Sequence, residues 1–100
     1  MTRHCVLFSF IPGSTRQELA AIEARFEALR AEIAEIEGFE WGTNSSPEGL
    51  DKGFTHCFFL SFADDAARDR YLVHPRHQAF GAFVRPFLAD VLVVDYRIPS

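Results

Sequence analysis

Apolar positions recur along this chain with two different periods, and each change of period marks an element. His4 to Ile11 reads His-Cys-Val-Leu-Phe-Ser-Phe-Ile and stops at Pro12-Gly13. The β-branched and aromatic content predicts a strand, and Pro-Gly a turn that ends it. Alternation puts His4, Val6, Phe8 and Phe10 on one face and Cys5, Leu7, Ser9 and Ile11 on the other. A strand apolar on both faces is covered on both faces. The period then lengthens. Leu19, Ile22, Phe26, Leu29, Ile33 and Ile36 lie three or four apart. They form one stripe along a helix of about six turns, roughly 33 Å at 1.5 Å per residue. Ser14 with Gln17, or Thr15 with Glu18, offers a capping box at its start. Gly38 is the expected stop.

Phe39 to Thr43 predicts a short strand, and Asn44 to Gly53 a polar loop. Phe54 to Phe62 is a second doubly apolar strand, with His56, Phe58, Leu60 and Phe62 sharing one face. Asp64 is placed to cap a short helix ending at Tyr71. Pro75 opens the next helix, to about Phe87, because the proline's missing N–H would be unpaired at that position anyway. Val91 to Ile98 is the last strand, with Val91, Val93 and Asp95 on one face and Pro99 as its stop. Strand, helix, strand, strand, helix pair, strand is the split βαβ, ferredoxin-like α+β pattern. It predicts a four-stranded antiparallel sheet with helices on one face. The other face still carries Leu7, Ile11, Cys57 and Phe59. An open apolar face of that size is a binding surface. Its simplest cover is the same sheet of a second copy, so a homodimer is expected.

Composition narrows the function classes. With 100 residues, the chain suits one domain, residues 1–100. Its 48% hydrophobic content and 11 phenylalanines argue for a packed fold. The net charge is −4 and no Lys/Arg run occurs, which argues against nucleic acid as a partner. No apolar stretch is long enough to cross a membrane and no signal-peptide cleavage site follows Met1, so we expect a cytoplasmic chain with no membrane partner. The two cysteines, Cys5 and Cys57, sit in apolar runs without a CxxC pair. Neither a disulfide scaffold nor a zinc site of that type is expected. Without a glycine-rich phosphate loop either, the chain is expected to need no metal and no organic cofactor.

The chemistry concentrates in Tyr71-Leu72-Val73-His74-Pro75-Arg76-His77. His77 lies three residues before Phe80, on the apolar face of its helix. A histidine aimed into an apolar interior needs a polar partner or a ligand. Tyr71 ends the helix before it, and His74 is expected as the cap. Strand alternation puts His4, His56 and Asp95 on the helix-covered face, so the three are expected to meet at one edge of it. A metal site from His4, His56, His77 and Asp95 is conceivable, but nothing in their spacing demands one.

Several segments together resemble the stress-responsive A/B barrel family, also called Dabb. They are the opening strand from Arg3 to Phe10, the Trp41-Gly42 step, Phe54-Thr55-His56, Tyr71 to His77, and Val94-Asp95-Tyr96. The resemblance covers nearly the whole chain and implies a homodimeric α+β barrel of two sheets packed face to face. Many members have no assigned activity. Some are plant polyketide cyclases of the olivetolic acid type, which close a poly-β-keto thioester by cofactor-free aldol chemistry. Their acid–base pair matches His77 and Tyr71, with histidines matching His4 and His56 and an aspartate matching Asp95. Phe26 and Phe58 are bulky for such a pocket, and Leu88 stands where a cyclase carries tryptophan.

The expected site is therefore an apolar pocket for a small carbonyl compound. Val6, Phe8, Ile22, Phe26, Phe58, Leu60, Phe80, Val91 and Val93 would wall it, with His56 as a further ligand contact. His77, Tyr71, His4 and Asp95 would be its catalytic groups. The function expected is a cofactor-independent lyase, cyclase or isomerase. The alternatives are a stress-associated binding or structural protein without turnover, and a cofactor-free monooxygenase-like barrel. An open channel at His77 would favour an enzyme, and a core filled by Phe26, Phe58 and Phe80 the structural protein.

Overall fold

The computed structural model of the chain describes residues 1–99. Four strands, β1 (Thr2–Phe10), β2 (Gly38–Thr43), β3 (His56–Phe62) and β4 (Leu88–Arg97), form one sheet in the order β2-β3-β1-β4. Every neighbouring pair is antiparallel. Three helices, α1 (Arg16–Glu32), α2 (Asp65–Leu72) and α3 (Pro75–Val84), join them. This is the ferredoxin-like arrangement that the alternation of periods predicts.

The elements begin and end for local reasons. Thr15 caps α1 with a full capping box: its hydroxyl accepts from the Glu18 N–H, and the Glu18 carboxylate accepts from the Thr15 N–H at 2.8 Å. The stripe expected to run helically to Ile36 stays apolar and buried, but the helix stops at Glu32 and Ile33 is extended. A one-turn bend follows, with the Ile36 N–H on the Ile33 carbonyl at 3.2 Å. That bend keeps a three-residue spacing, so Ile33 and Ile36 still face the core. Gly38 does not end the helix; it opens β2 opposite Ser61. A Cβ there would lie 3.4 Å from the Ser61 side chain. Glycine lets β2 approach β3 at that point. α3 stops at Val84 rather than near Phe87, because Pro86 has no N–H to continue the helix. A single 3-10 turn, Arg85–Phe87, leads into β4, which therefore begins three residues earlier than expected.

The core fills the space between helices and sheet. Phe26 stacks on Phe58 at 4.4 Å between ring centroids and lies against Phe80 at 4.5 Å, with Ile22, Leu29, Ile33 and Leu60 packed around them. Aromatic pairs at such distances add to the stabilisation from area burial alone. β4 differs from the central strands. It is an edge strand, and Val91 to Val94 stay about half exposed on both of its faces. Among the described residues no helix is long and apolar enough to cross a membrane.

Candidate functional site

The site is built at the junction of α2 and α3. The Asp64 carboxylate starts α2 by accepting the Ala67 N–H at 2.8 Å. At its far end the His74 N–H donates to the Tyr71 carbonyl at 3.1 Å. His74 then caps α3: its Nδ1 accepts the Arg76 N–H at 3.0 Å, and Pro75 takes the first helical position. This tight reversal brings the last turn of α2 against the first turn of α3. Tyr71 and His77 meet with ring centroids 4.5 Å apart.

Their hydrogen bonds define their chemistry. His77 Nδ1–H donates to the Leu72 carbonyl at 3.0 Å. In the neutral ring that leaves Nε2 as a bare acceptor. Burial pushes the His77 pKa down; the Leu72 carbonyl works against this, and the charges of His4 and His74 add to it. Tyr71 is fully buried, and its hydroxyl has no hydrogen-bond partner. Burial, and behind it the charge of Asp95, raise the Tyr71 pKa well above the ordinary phenol value. The pair is a neutral imidazole with a free nitrogen beside a phenol that keeps its proton.

β1 and β4 add a second layer. His4 and Asp95 are direct partners across the ladder, and His4 Nδ1–H donates to Asp95 Oδ1 at 2.6 Å. Asp95 Oδ2 accepts from Arg68 at 2.9 Å. The His4 ring stands edge-on to Tyr71 at 5.7 Å. Sequence reasoning did not single out Arg68. Its signal was the three-residue spacing to Tyr71, which puts both side chains on one face of α2.

These groups stand at one end of a cleft of about 580 Å³ between α3, β1 and β4. Val6, Phe8, Phe26, Phe80, Val91 and Val93 line it. Ile22, Phe58 and Leu60 do not, since each is wholly buried in the core beneath. An open cleft and the packed Phe26–Phe58–Phe80 stack thus coexist, although the sequence set them up as alternatives.

His56 corrects the expected trio. It shares the helix-covered face with His4, but its β1 partner is Phe8, whereas His4 pairs with Leu60. Four residues of strand separate the two, ~13 Å at 3.3 Å per residue. His56 Nε2–H donates to Glu23 Oε2 at 2.8 Å, Nδ1 accepts the Thr55 hydroxyl at 3.0 Å, and Trp41 stacks parallel to the ring. With both nitrogens engaged, His56 ties α1 to β3 and does not reach the cleft. Among the described residues no three His, Cys, Asp or Glu side chains are grouped to hold a metal ion.

Comparison with known proteins agrees with this fold. The Stress Responsive A/B Barrel Domain family matches residues 2–98. The stress-response A/B barrel domain-containing protein HS1 of Arabidopsis thaliana is 32% identical, over 98% of this chain and 90% of its own. Olivetolic acid cyclase of Cannabis sativa is 23% identical, over 94% of this chain and 93% of its own. Among solved structures, the crystal structure of At3g17210 from Arabidopsis thaliana superposes with a TM-score of 0.94 at 31% identity, covering 100% of this chain and 97% of that one. A dimeric ferredoxin-like protein of unknown function from Jannaschia sp. CCS1 gives 0.84 at 26% identity, covering 97% and 98%.

Proposed function

The chain belongs to the stress-responsive A/B barrel family, and from that premise we propose that its cleft binds a small carbonyl compound and enolises it without a cofactor. His77 Nε2 takes a proton from the carbon next to the carbonyl, a task suited to an imidazole that is neutral near pH 7. The Tyr71 hydroxyl donates a hydrogen bond to the oxygen as it gains enolate charge. His4, oriented by Asp95 and Arg68, is the third polar group beside the reacting centre. An enolate formed there can attack a second carbonyl of the same molecule, as in a cyclase, or be reprotonated, as in an isomerase.

The partnerless Tyr71 hydroxyl beside His77 carries this reading. A buried hydroxyl without a hydrogen bond is destabilising to a fold, and a carbonyl oxygen in the cleft would satisfy it. Support comes from a family relative named as a cyclase that covers most of the chain. The test is proton exchange. The protein in D₂O should accelerate deuterium uptake at the α-carbon of an enolisable ketone, followed by NMR. His77→Ala should reduce that rate about 10²- to 10⁴-fold, the usual worth of a positioned base. Ketone binding without any exchange above buffer would favour the second reading, a binding protein without turnover. The tightly packed Phe26–Phe58–Phe80 stack speaks for that reading, because it narrows the cavity floor.

We further propose that the chain works as a homodimer in the cytoplasm. Dimeric relatives of the same fold support the first point. Two unpaired thiols, Cys5 and Cys57, suit a reducing compartment and support the second.

A further inference from the structure

Among the described residues two carboxylates line the cleft, Asp90 and Asp95. They lie five residues apart on β4, ~16 Å at 3.3 Å per residue, so only Asp95 stands at the end that holds Tyr71 and His77. A carboxylate there opposes the chemistry assigned to that end. Burial first, and the Asp95 charge behind it, hold the Tyr71 hydroxyl in its protonated form. The charge of Asp95 therefore reaches the oxygen whose hydrogen bond would stabilise an enolate. Negative charge forming on a ligand oxygen beside Tyr71 would meet the same repulsion, little screened in a half-buried site.

Arg68 answers that charge. From α2 it donates to Asp95 Oδ2 at 2.9 Å, while His4 on β1 holds Oδ1 at 2.6 Å. With both oxygens engaged, the carboxylate is fixed in orientation. The side chains of Arg68 and Asp95 are 19% and 21% exposed, so water weakens their attraction less than that of a surface pair. The other charged neighbours are engaged elsewhere. Asp69 also takes a hydrogen bond from Arg68, but its carboxylate lies in water. Arg97, next on the same face of β4, pairs with Asp65, which accepts the Thr2 hydroxyl as well. β3 brings only the apolar Leu60 and Phe62 to the His4 side, and α3 brings the neutral His77 ring. Among the described residues no other arginine or lysine lies within salt-bridge distance of Asp95.

We propose that Arg68 is a positioning residue of the site: it compensates the Asp95 carboxylate, so that negative charge can form on a ligand oxygen at Tyr71, and it keeps the His4 ring with Nδ1 protonated and Nε2 bare. The inference rests on the enolisation reading of the site and deepens it. The species held most tightly is the oxyanion, and its tight binding depends on a residue that does not line the cleft.

The phenolate of 4-nitrophenol mimics an enolate oxygen, and its yellow colour reports its ionisation. The wild type at about pH 7 should bind it as the phenolate, read as a rise in visible absorbance. Arg68→Met should weaken that binding at least about tenfold, the effect of an uncompensated charge in a half-buried site. Arg68→Lys should restore most of it. Removing both charges, in Arg68→Met with Asp95→Asn, should bring the affinity back to within about threefold of the wild type. A tether whose only task was to hold α2 would leave the double variant as weak as the single one. ¹⁵N NMR of the intact protein should show the His4 ring with Nδ1 protonated and Nε2 bare in the wild type, and with Nε2 partly protonated in Arg68→Met. Arg68→Gln carries the test if the methionine variant does not fold. A wild type that takes 4-nitrophenol only in its neutral form, or equal phenolate affinity in wild type and Arg68→Met, overturns the proposal, and so does a His4 spectrum that the substitution leaves unchanged. Proton exchange separates it from the reading beneath: a wild type that exchanges no ketone proton refutes enolisation, while the phenolate comparison still decides the role of Arg68.

Discussion

Removing the Tyr71 hydroxyl deletes a buried polar atom that makes no hydrogen bond. Tyr71→Phe should therefore leave the melting temperature unchanged or raise it, while slowing α-proton exchange. A hydroxyl that held the helix junction together would give the opposite pattern, with a loss of about 1–3 kcal/mol. His77 makes a prediction about pH. Its pKa is lowered in the fold, chiefly by burial; in the unfolded chain it titrates near the ordinary imidazole value of about 6.5. Between the two values the unfolded state binds a proton that the folded state does not. The His77 contribution to stability is thus complete above about pH 6.5 and is lost as pH falls toward the folded pKa. Urea midpoints of wild type and His77→Gln between about pH 4 and about pH 8, roughly the span of the titration, should diverge on the acid side, the wild type falling more steeply. Parallel curves would contradict a buried neutral ring. At this scale the sequence exposed much of the site. His77 and Tyr71 were legible from one seven-residue segment, because helical spacing and a proline start fix where each side chain points. Arg68 was not, because an arginine on a helix looks like ordinary surface until a partner on β4 is placed beside it.

Between residues and the whole molecule stand the elements, and the α2–α3 reversal is the one that assembles the site. His74 caps α3 through Nδ1, and two residues before its own position the Leu72 carbonyl fixes the His77 tautomer. His74→Ala should cost about 1 kcal/mol, as for loss of other helix caps. For a domain of this size that lowers the melting temperature by roughly 4–8 °C. Exchange activity should fall as well, since the cap sets the start of the helix carrying His77. A melting curve identical to wild type would show that the reversal is held by other contacts. Elements also explain the misplaced trio. Alternation assigned His4, His56 and Asp95 to the correct face, because a period of two decides the face. It does not decide position along the strand, which follows from register. Partners on β1 and β3 sum to 64, as His4 with Leu60, while partners on β1 and β4 sum to 99, as His4 with Asp95. The polar loop before β3 conceals the first sum in the sequence. The end of α1 was hidden for a related reason: Ile33 and Ile36 keep a helical spacing through a bend that is no longer helix.

For the whole molecule, the decisive feature is the sheet face away from the helices. The alternation that buries Val6, Phe8, Phe58 and Leu60 under the helices sends Leu7, Cys57 and Phe59 to the opposite side. β4 adds Leu92, Val94 and Tyr96, which are 44%, 52% and 45% exposed. A strip of this character across three strands is larger than a monomer usually leaves in water. A second copy is its best-fitting occupant, because the solved relatives of this fold include dimers and a two-fold axis matches a surface to itself. Both apolar faces were readable from the sequence; the strand order that joins them into one surface followed from the ferredoxin-like pattern. Leu7→Asp tests the surface. Leu7 pairs with Cys57 on one side and Leu92 on the other, at the centre of the sheet. A carboxylate there would be buried without a partner in a face-to-face dimer, a penalty of several kcal/mol. The wild type should sediment as a dimer at micromolar concentration, and the variant as a monomer or an aggregate. Because Leu7 lies on the face opposite the cleft, any monomer that stays folded should keep the Tyr71–His77 pair intact and bind ketones. A wild type that sediments as a clean monomer would contradict the dimer and leave the open face without its proposed cover.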